Sequence, residues 1–418
     1  MLRRIRVVSL AGAIGAMLAG MLVQAAPALA KASEIGFNAE AYGTQVLVGT
    51  TVQSGRSAAS SLACTSTVGV EHTNSAASVG VPIVLSTGTI DTSAASESNA
   101  TGVDSTGTST IQNVSLLNGL VGATAVDSVS TTSRDTATKA LSTSSAGTQF
   151  VGLNVLGLPI TGTPAPNTKI TLPGVGYVEL NQQTSHVNQK AGKAGLKVIA
   201  IHVDVTLSTP LAPVGTQIFV GYASSGLGGP VVGLLDGLAF GASANVANTI
   251  LAGEAFPEAL ACFGTEGVTK TNSGAAVSLP GIATSGTVTD TAEGVAGHKN
   301  AMVHMTSTIE GLNLLSSILT ATAISADVSA SGNAPTLTDN SSFLGLTVAG
   351  FPAIGDNVAP NTKLSLAGLG TLYLHRVFKE ANKITVIMVE LVVTVPSNPL
   401  GLALGTTVKV GFARAGIH

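Results

Sequence analysis

The chain writes nearly the same twelve residues twice: APNTKITLPGVG at 165–176 and APNTKLSLAGLG at 359–370. Slid against itself by 198 positions, the chain matches over most of the intervening sequence. Ala41-Tyr42-Gly43 falls on Ala239-Phe240-Gly241, Leu62-Ala63-Cys64 on Leu260-Ala261-Cys262, and TSTI at 108–111 on TSTI at 306–309. Further on the offset drifts as loops change length: FVGLNVLGLP (150–159) meets FLGLTVAGFP (343–352), LKVIAIHVDVTL (196–207) meets ITVIMVELVVTV (384–395), and GTQIFVGYA (215–223) meets GTTVKVGFA (405–413). A repeat this long is one folding unit used twice, because short-period solenoids repeat every 20–50 residues or so. The reading is a repeat unit at 41–223, a Gly-rich connector at 224–238 and a second unit at 239–413.

Each unit reads as strands. Ile199, Ile201, Val203, Val205 and Leu207 alternate with polar His202, Asp204 and Thr206, the period of a half-buried strand. Its copy at 384–395 is apolar on both faces, which predicts a central strand. The next strand is expected to place Ile218, Val220 and Tyr222 on one face, as its copy would place Val408, Val410 and Phe412. Gly- and Pro-containing loops such as Pro173-Gly174-Val175-Gly176 suit tight connections. No sustained 3.6-residue period occurs. The expected fold is all-β, two tandem copies of one β-sandwich-like unit, with a β-solenoid as the alternative.

The segments STIQNVSLLNGLVGATAVDSVST (109–131), FVGLNVLGLPI (150–160), PNTKITLPGVGYVELNQQ (166–183) and LKVIAIHVDVTL (196–207) resemble the choice-of-anchor P proteins of actinobacteria. The resemblance covers most of both units and rests on packing and turn residues, so it speaks to fold more than to activity. It implies a secreted or wall-associated protein whose members carry differing C-terminal anchors. This chain ends VKVGFARAGIH, without an LPxTG-like signal or apolar tail, and release is the expectation.

The N-terminus supports export. Arg3, Arg4 and Arg6 precede an apolar run, and Ala28-Leu29-Ala30 follows Pro27, the order of a signal peptide over 1–30 with cleavage before Lys31. No second span is expected in the mature chain, because Asp236 and several glycines interrupt the apolar run 226–251. Lys and Arg total 19, three of them inside the first 30 residues, against 22 Asp and Glu. The mature chain is thus mildly acidic, has no basic stripe and contains no Trp. Nucleic-acid binding by charge or stacking finds no support.

The two cysteines, Cys64 and Cys262, hold equivalent places in the two copies. In a secreted chain the expected reading is one disulfide tying copy to copy; two buried thiols or an intermolecular pair are the alternatives. His298 and His304 lie six apart, but a metal site would need a third ligand from Asp290, Glu293 or Glu310, and solvent-facing strand residues are the plainer reading. His202 is expected outward beside Asp204, and His418 in a disordered tail. Glycoside hydrolysis needs two carboxyls about 5–9 Å apart. The acids Asp91, Asp104 and Asp127 have Thr289, Met302 and Ser325 as counterparts, so the unit is not built around them. GxSxG, HExxH and P-loop patterns do not occur. No catalytic residue, metal or cofactor is assigned. The expected function is that of a non-enzymatic extracellular or cell-surface protein, a structural or interaction module meeting cell-wall polymer or further copies of itself. The alternative is a secreted carbohydrate-active or carbohydrate-binding protein.

Overall fold

The computed structural model describes residues 32–48, 51–229, 233–246, 249–252, 254–279, 282–297, 300–332 and 334–418. The proposed cleavage point, Ala30-Lys31, and His298 lie outside these residues. The described chain is strands and connecting turns, paired antiparallel in four open sheets. Lys31–His418 make one compact unit.

The repeat in sequence is a repeat in topology. The first sheet runs Thr168–Leu172, Gly176–Asn188, Lys193–Val205, Thr216–Gly228, Ala32–Val48, Thr51–Ser54, and Ser60–Thr67 also pairs with Ala32–Val48. The third sheet repeats that order with the second copy's strands: Thr362–Leu366, Gly370–Lys379, Lys383–Val393, Thr406–Ile417, Leu235–Val246, Thr249–Ala252. The second and fourth sheets are likewise copies, centred on the hairpins Gly102–Leu116 with Val121–Asp135 and Met302–Leu314 with Leu319–Ser331. Each copy is therefore a sandwich-like pair of sheets. Lys383–Val393, apolar on both faces, is central in its sheet as its composition predicts. The stretch 224–238 is mostly strand rather than linker: Ser224–Gly228 completes Thr216–Gly228, and Leu235 opens the next strand.

The duplicated APNTK segment has a local cause. Asn167 and Asn361 adopt φ of 60° and 62°, the left-handed region that Asn tolerates better than most side chains. The Asn167 N–H donates to Asn181 O (2.9 Å), and its side-chain oxygen accepts from the Gln183 N–H (2.7 Å). Asn361 makes the same pair of bonds, to His375 O (2.7 Å) and from the Val377 N–H (2.9 Å). Thr168 and Thr362 close the turn by donating to Ala165 O and Ala359 O, each at 2.7 Å. The motif pins the edge strand onto a kink in its neighbour, where Asn181 and His375 also have positive φ and the register is unchanged on either side.

That kink changes which residues face the core. Ala200 and Ile201 are sequence neighbours, yet both lie in the first copy's core cluster with Val203, Val205, Ile218 and Val220. Met388 and Val389 do the same in the second copy. Alternation slips by one residue there, across Asn181, Ala200, Gly221 and Gly43, with Gly221 and Gly411 at φ of 67° and 66°. Three expectations are corrected as a result. Ile199 does not share a face with Ile201 and instead pairs with Tyr222. Tyr222 leaves the face of Ile218 and Val220 and stacks on Tyr42 at 4.4 Å. Phe412 leaves Val408 and Val410 and stacks on Phe240, also at 4.4 Å. Leu207, in a loop, is exposed.

Between the sheets, short hydroxyls donate to backbone carbonyls at the kink. Ser109 donates to Tyr42 O and its counterpart Ser307 to Phe240 O, both at 3.1 Å. Ser128 donates to Gly221 O at 2.7 Å. The Ser/Thr richness of the chain thus serves its interior as well as its surface, since a buried polar group must find a partner.

Candidate functional site: the cleft between the copies

The two copies meet through equivalent residues. Cys64 and Cys262 form a disulfide with Cα atoms 5.0 Å apart. Arg56 and Glu254, also 198 positions apart, form an antiparallel β-bridge. Two such self-equivalent contacts place a pseudo-twofold axis through both, the isologous arrangement of a symmetric dimer within one chain. The disulfide is buried with Leu234 and packs against Phe263. Gly228 permits that approach: a Cβ there would sit 2.5 Å from the Phe263 ring.

Beside the bridge lies a cleft of about 410 Å³, lined by 38–40, 59–62 and 72–74 of the first copy and by 235–238, 254, 259–260, 383 and 414 of the second. Its walls are the same backbone segments used twice, but their chemistry differs. Asn38 has Asp236 as its counterpart, Glu40 has Leu238, and Ser224 has Arg414, and all six line the cleft.

On the first copy's side, Arg56 pairs with Glu40 and lies over the Tyr42 ring, 5.2 Å from its centroid. Burial opposes the Arg56 charge, but Glu40 and the nearby rings outweigh it and keep the guanidinium protonated. Burial pushes the Tyr42 hydroxyl well above its ordinary range. Glu254 is also raised by burial, with Arg56 opposing. On the second copy's side, Arg414 Nη2 lies 2.8 Å from Asp236 Oδ1, and His418 Nε2 lies 3.9 Å from Oδ2. Burial would raise the Asp236 carboxyl, but the His418 ring and the Arg414 guanidinium outweigh it and hold the group below its ordinary value. Glu40 and Asp236 are thus fixed as ion-pair partners, and the cleft adds polar side chains from Asn38 and Ser61, while the Ser60 hydroxyl and Asn74 amide that also line it are bonded to Thr92 and Ala59 O. Such walls suit hydrogen bonding to a polar partner.

The other sequence candidates lie elsewhere. His418 is not a disordered tail: its N–H donates to Leu234 O (2.8 Å), and its ring bonds Asn382 (2.7 Å). His202 points outward as expected but is buried, pressed on the Phe219 ring at 4.4 Å, and burial lowers its pKa. His304 bonds Asp327 at 2.9 Å. Among the described residues no three His, Cys, Asp or Glu side chains could hold a metal ion together. Asp91 and Asp127 both flank Thr110, two strands apart on one sheet face, which is about 10 Å. Asp104 accepts from Asn99 (2.7 Å). These acids do not converge on one centre. The charged axis of Arg56 and Glu254 was missed from sequence, although the rule that located the cysteines, equivalence at 198, marks these residues too.

No helix among the described residues is long and apolar enough to cross a membrane. No family model, curated protein or solved structure matches the chain.

Proposed function

We propose that this chain works outside the cytoplasm as a non-enzymatic structural or interaction module of the choice-of-anchor P kind, released or associated with the cell wall. The observation that carries the reading is the Cys64–Cys262 bridge on the pseudo-twofold axis. Such bonds persist in oxidising compartments and are reduced in the cytosol. The export-type N-terminus and the low charge of the chain support the same reading. The disulfide adds a covalent tie to the contact already made by Arg56–Glu254 and by Leu234 and Phe263, a property suited to a scaffold.

The test is fractionation of the native host into cytosol, membrane, wall and medium, followed by alkylation of free thiols. The expected result is bridged protein in the wall or medium, beginning at Lys31. Cytosolic protein with both thiols alkylated would overturn the proposal. The cleft favours a second reading, binding of a neutral saccharide by its amide and hydroxyl walls. A glycan array decides it, with loss of any signal in Asn38→Ala as the confirming result.

A further inference from the structure

The two copies differ in the interior of the sandwich. In the first copy, Ser60 and Thr92 share a hydrogen bond of 2.7 Å, and Thr92 Oγ1 donates to Ala58 O at 2.6 Å. Both residues are buried. At the equivalent positions, 198 further on, the second copy carries Glu258 and Asp290. A hydroxyl pair has become a carboxyl pair in the same backbone setting. Asp290 is 0% exposed, and neither carboxyl oxygen has a hydrogen-bond donor.

The donors nearby are bonded to carbonyls and favour the Asp290 charge only in part. The Ser307 hydroxyl, across the strand pair from Asp290, donates to Phe240 O at 3.1 Å. The Gly241 N–H donates to Ala255 O at 3.0 Å. Asn272, opposite Asp290 on the other side, donates its amide to Pro257 O at 3.1 Å. From the strand Glu258–Ala259 the neighbouring group is itself acidic and raised by burial, with Arg56 and Lys270 opposing. Among the described residues, Glu258 is the charged group that bears on Asp290. A bare carboxylate without donors costs far more in this setting than a neutral acid, which carries an O–H of its own.

We propose that Asp290 is a proton-held latch of the second copy: the neutral acid lets the third and fourth sheets stay closed, and its ionisation loosens that sandwich while the first copy, with Ser60 and Thr92, stays shut. Burial is the largest contribution in raising the Asp290 group to about 8, the Ser307 and Gly241 dipoles oppose it, and Glu258 adds to it. An unfolded Asp titrates near ~3.9. Between these values the closed copy holds one proton more than the open one. The stabilisation is therefore fully present below the unfolded value and is lost as pH rises through the folded value.

The test is hydrogen exchange on the intact, bridged chain, corrected for intrinsic rates, at pH 5 to 9. Amides of Val288–Val295 and Met302–Leu314 report the second copy. Those of Ile90–Ser98 and Gly102–Leu116 are the internal reference. One-proton linkage predicts that the second copy's opening constant rises roughly tenfold per pH unit until the folded value is passed, with no such rise in the first. Asp290→Thr removes the buried acid, and together with Glu258→Ser it rebuilds the first copy's pair; both should flatten the response. Infrared spectroscopy of the wild-type chain gives a readout that needs no variant: a protonated carboxyl band present at pH 6 and lost above pH 9. Equal pH responses in the two copies, or absence of that band at pH 6, would overturn the proposal.

Discussion

Reduction of Cys64–Cys262 is the cleanest perturbation of the axis, because it opens the bridge and leaves both sulfurs in place. The bond closes a loop of 198 residues. In the chain-entropy model, a loop of that length removes about 5 kcal/mol of unfolded-state freedom. At an unfolding entropy of about 2.1 cal/mol/K per residue, some 390 residues unfolding together carry roughly 0.8 kcal/mol/K, so reduction should lower the midpoint by about 6 °C. The native contact should survive it. Leu234 and Phe263 still pack around the thiols, and the Arg56–Glu254 bridge is independent of them. Calorimetry of oxidised and reduced protein, with mass spectrometry of the alkylated thiols as a check on reduction, measures the shift. Fully reduced protein with a midpoint within about 1 °C of the oxidised form would refute the argument that the bridge acts on the unfolded chain. Splitting into two transitions on reduction would show that the bridge also couples the copies.

Other consequences follow from packing and charge. Gly43→Ala and Gly241→Ala put a Cβ 2.4 Å from a methyl of Ile90 and of Val288, and each should cost roughly 1–3 kcal/mol in urea titrations, while Gly80→Ala, with open space around it, should be near neutral. Arg414→Ala strands Asp236, only 4% exposed, and should cost about 3–5 kcal/mol. The pair Asp236→Asn with Arg414→Ser, which copies Asn38 and Ser224, should recover most of that loss, and denaturation of all three variants checks it. Burial would raise the Asp339 carboxyl, but the His375 ring at 2.9 Å and Ser341 hold it below its ordinary value. Its contribution is present above the unfolded value, near ~3.9, and is lost as pH falls through the folded one. His375→Ala should therefore make the acid-side fall in urea midpoint shallower between pH 5 and 2.

The duplication, the strand segments and the pairing of Cys64 with Cys262 were readable in the sequence, because each follows from local pattern or from equivalence at a fixed offset. The APNTK turn was visible as a repeated motif, and the same Asn conformation in both copies explains why it recurs. The facing of Ile199, Tyr222 and Phe412 was not readable: a period of two assumes unbroken pleating, and the positive φ of Gly221 and Gly411 breaks it. A glycine inside a strand pattern was the available signal. His202 looked solvent-facing because alternation gives the side of a sheet, whereas the Phe219 ring that covers it comes from the next strand. His418 looked like a free tail because its partners, Leu234 and Asn382, are 184 and 36 residues away. The cleft and the buried acid of the second copy belong wholly to tertiary structure. Glu40, Arg56, Asp236, Glu254 and Arg414 meet only because a twofold-like axis brings two copies together. Asp290 is short of donors because Ser307, Gly241 and Asn272 each bond a carbonyl elsewhere, on Phe240, Ala255 and Pro257. Sequence pattern reports which residues repeat and alternate; which charge meets which, and which donor is already spent, depends on long-range contacts that no local period encodes.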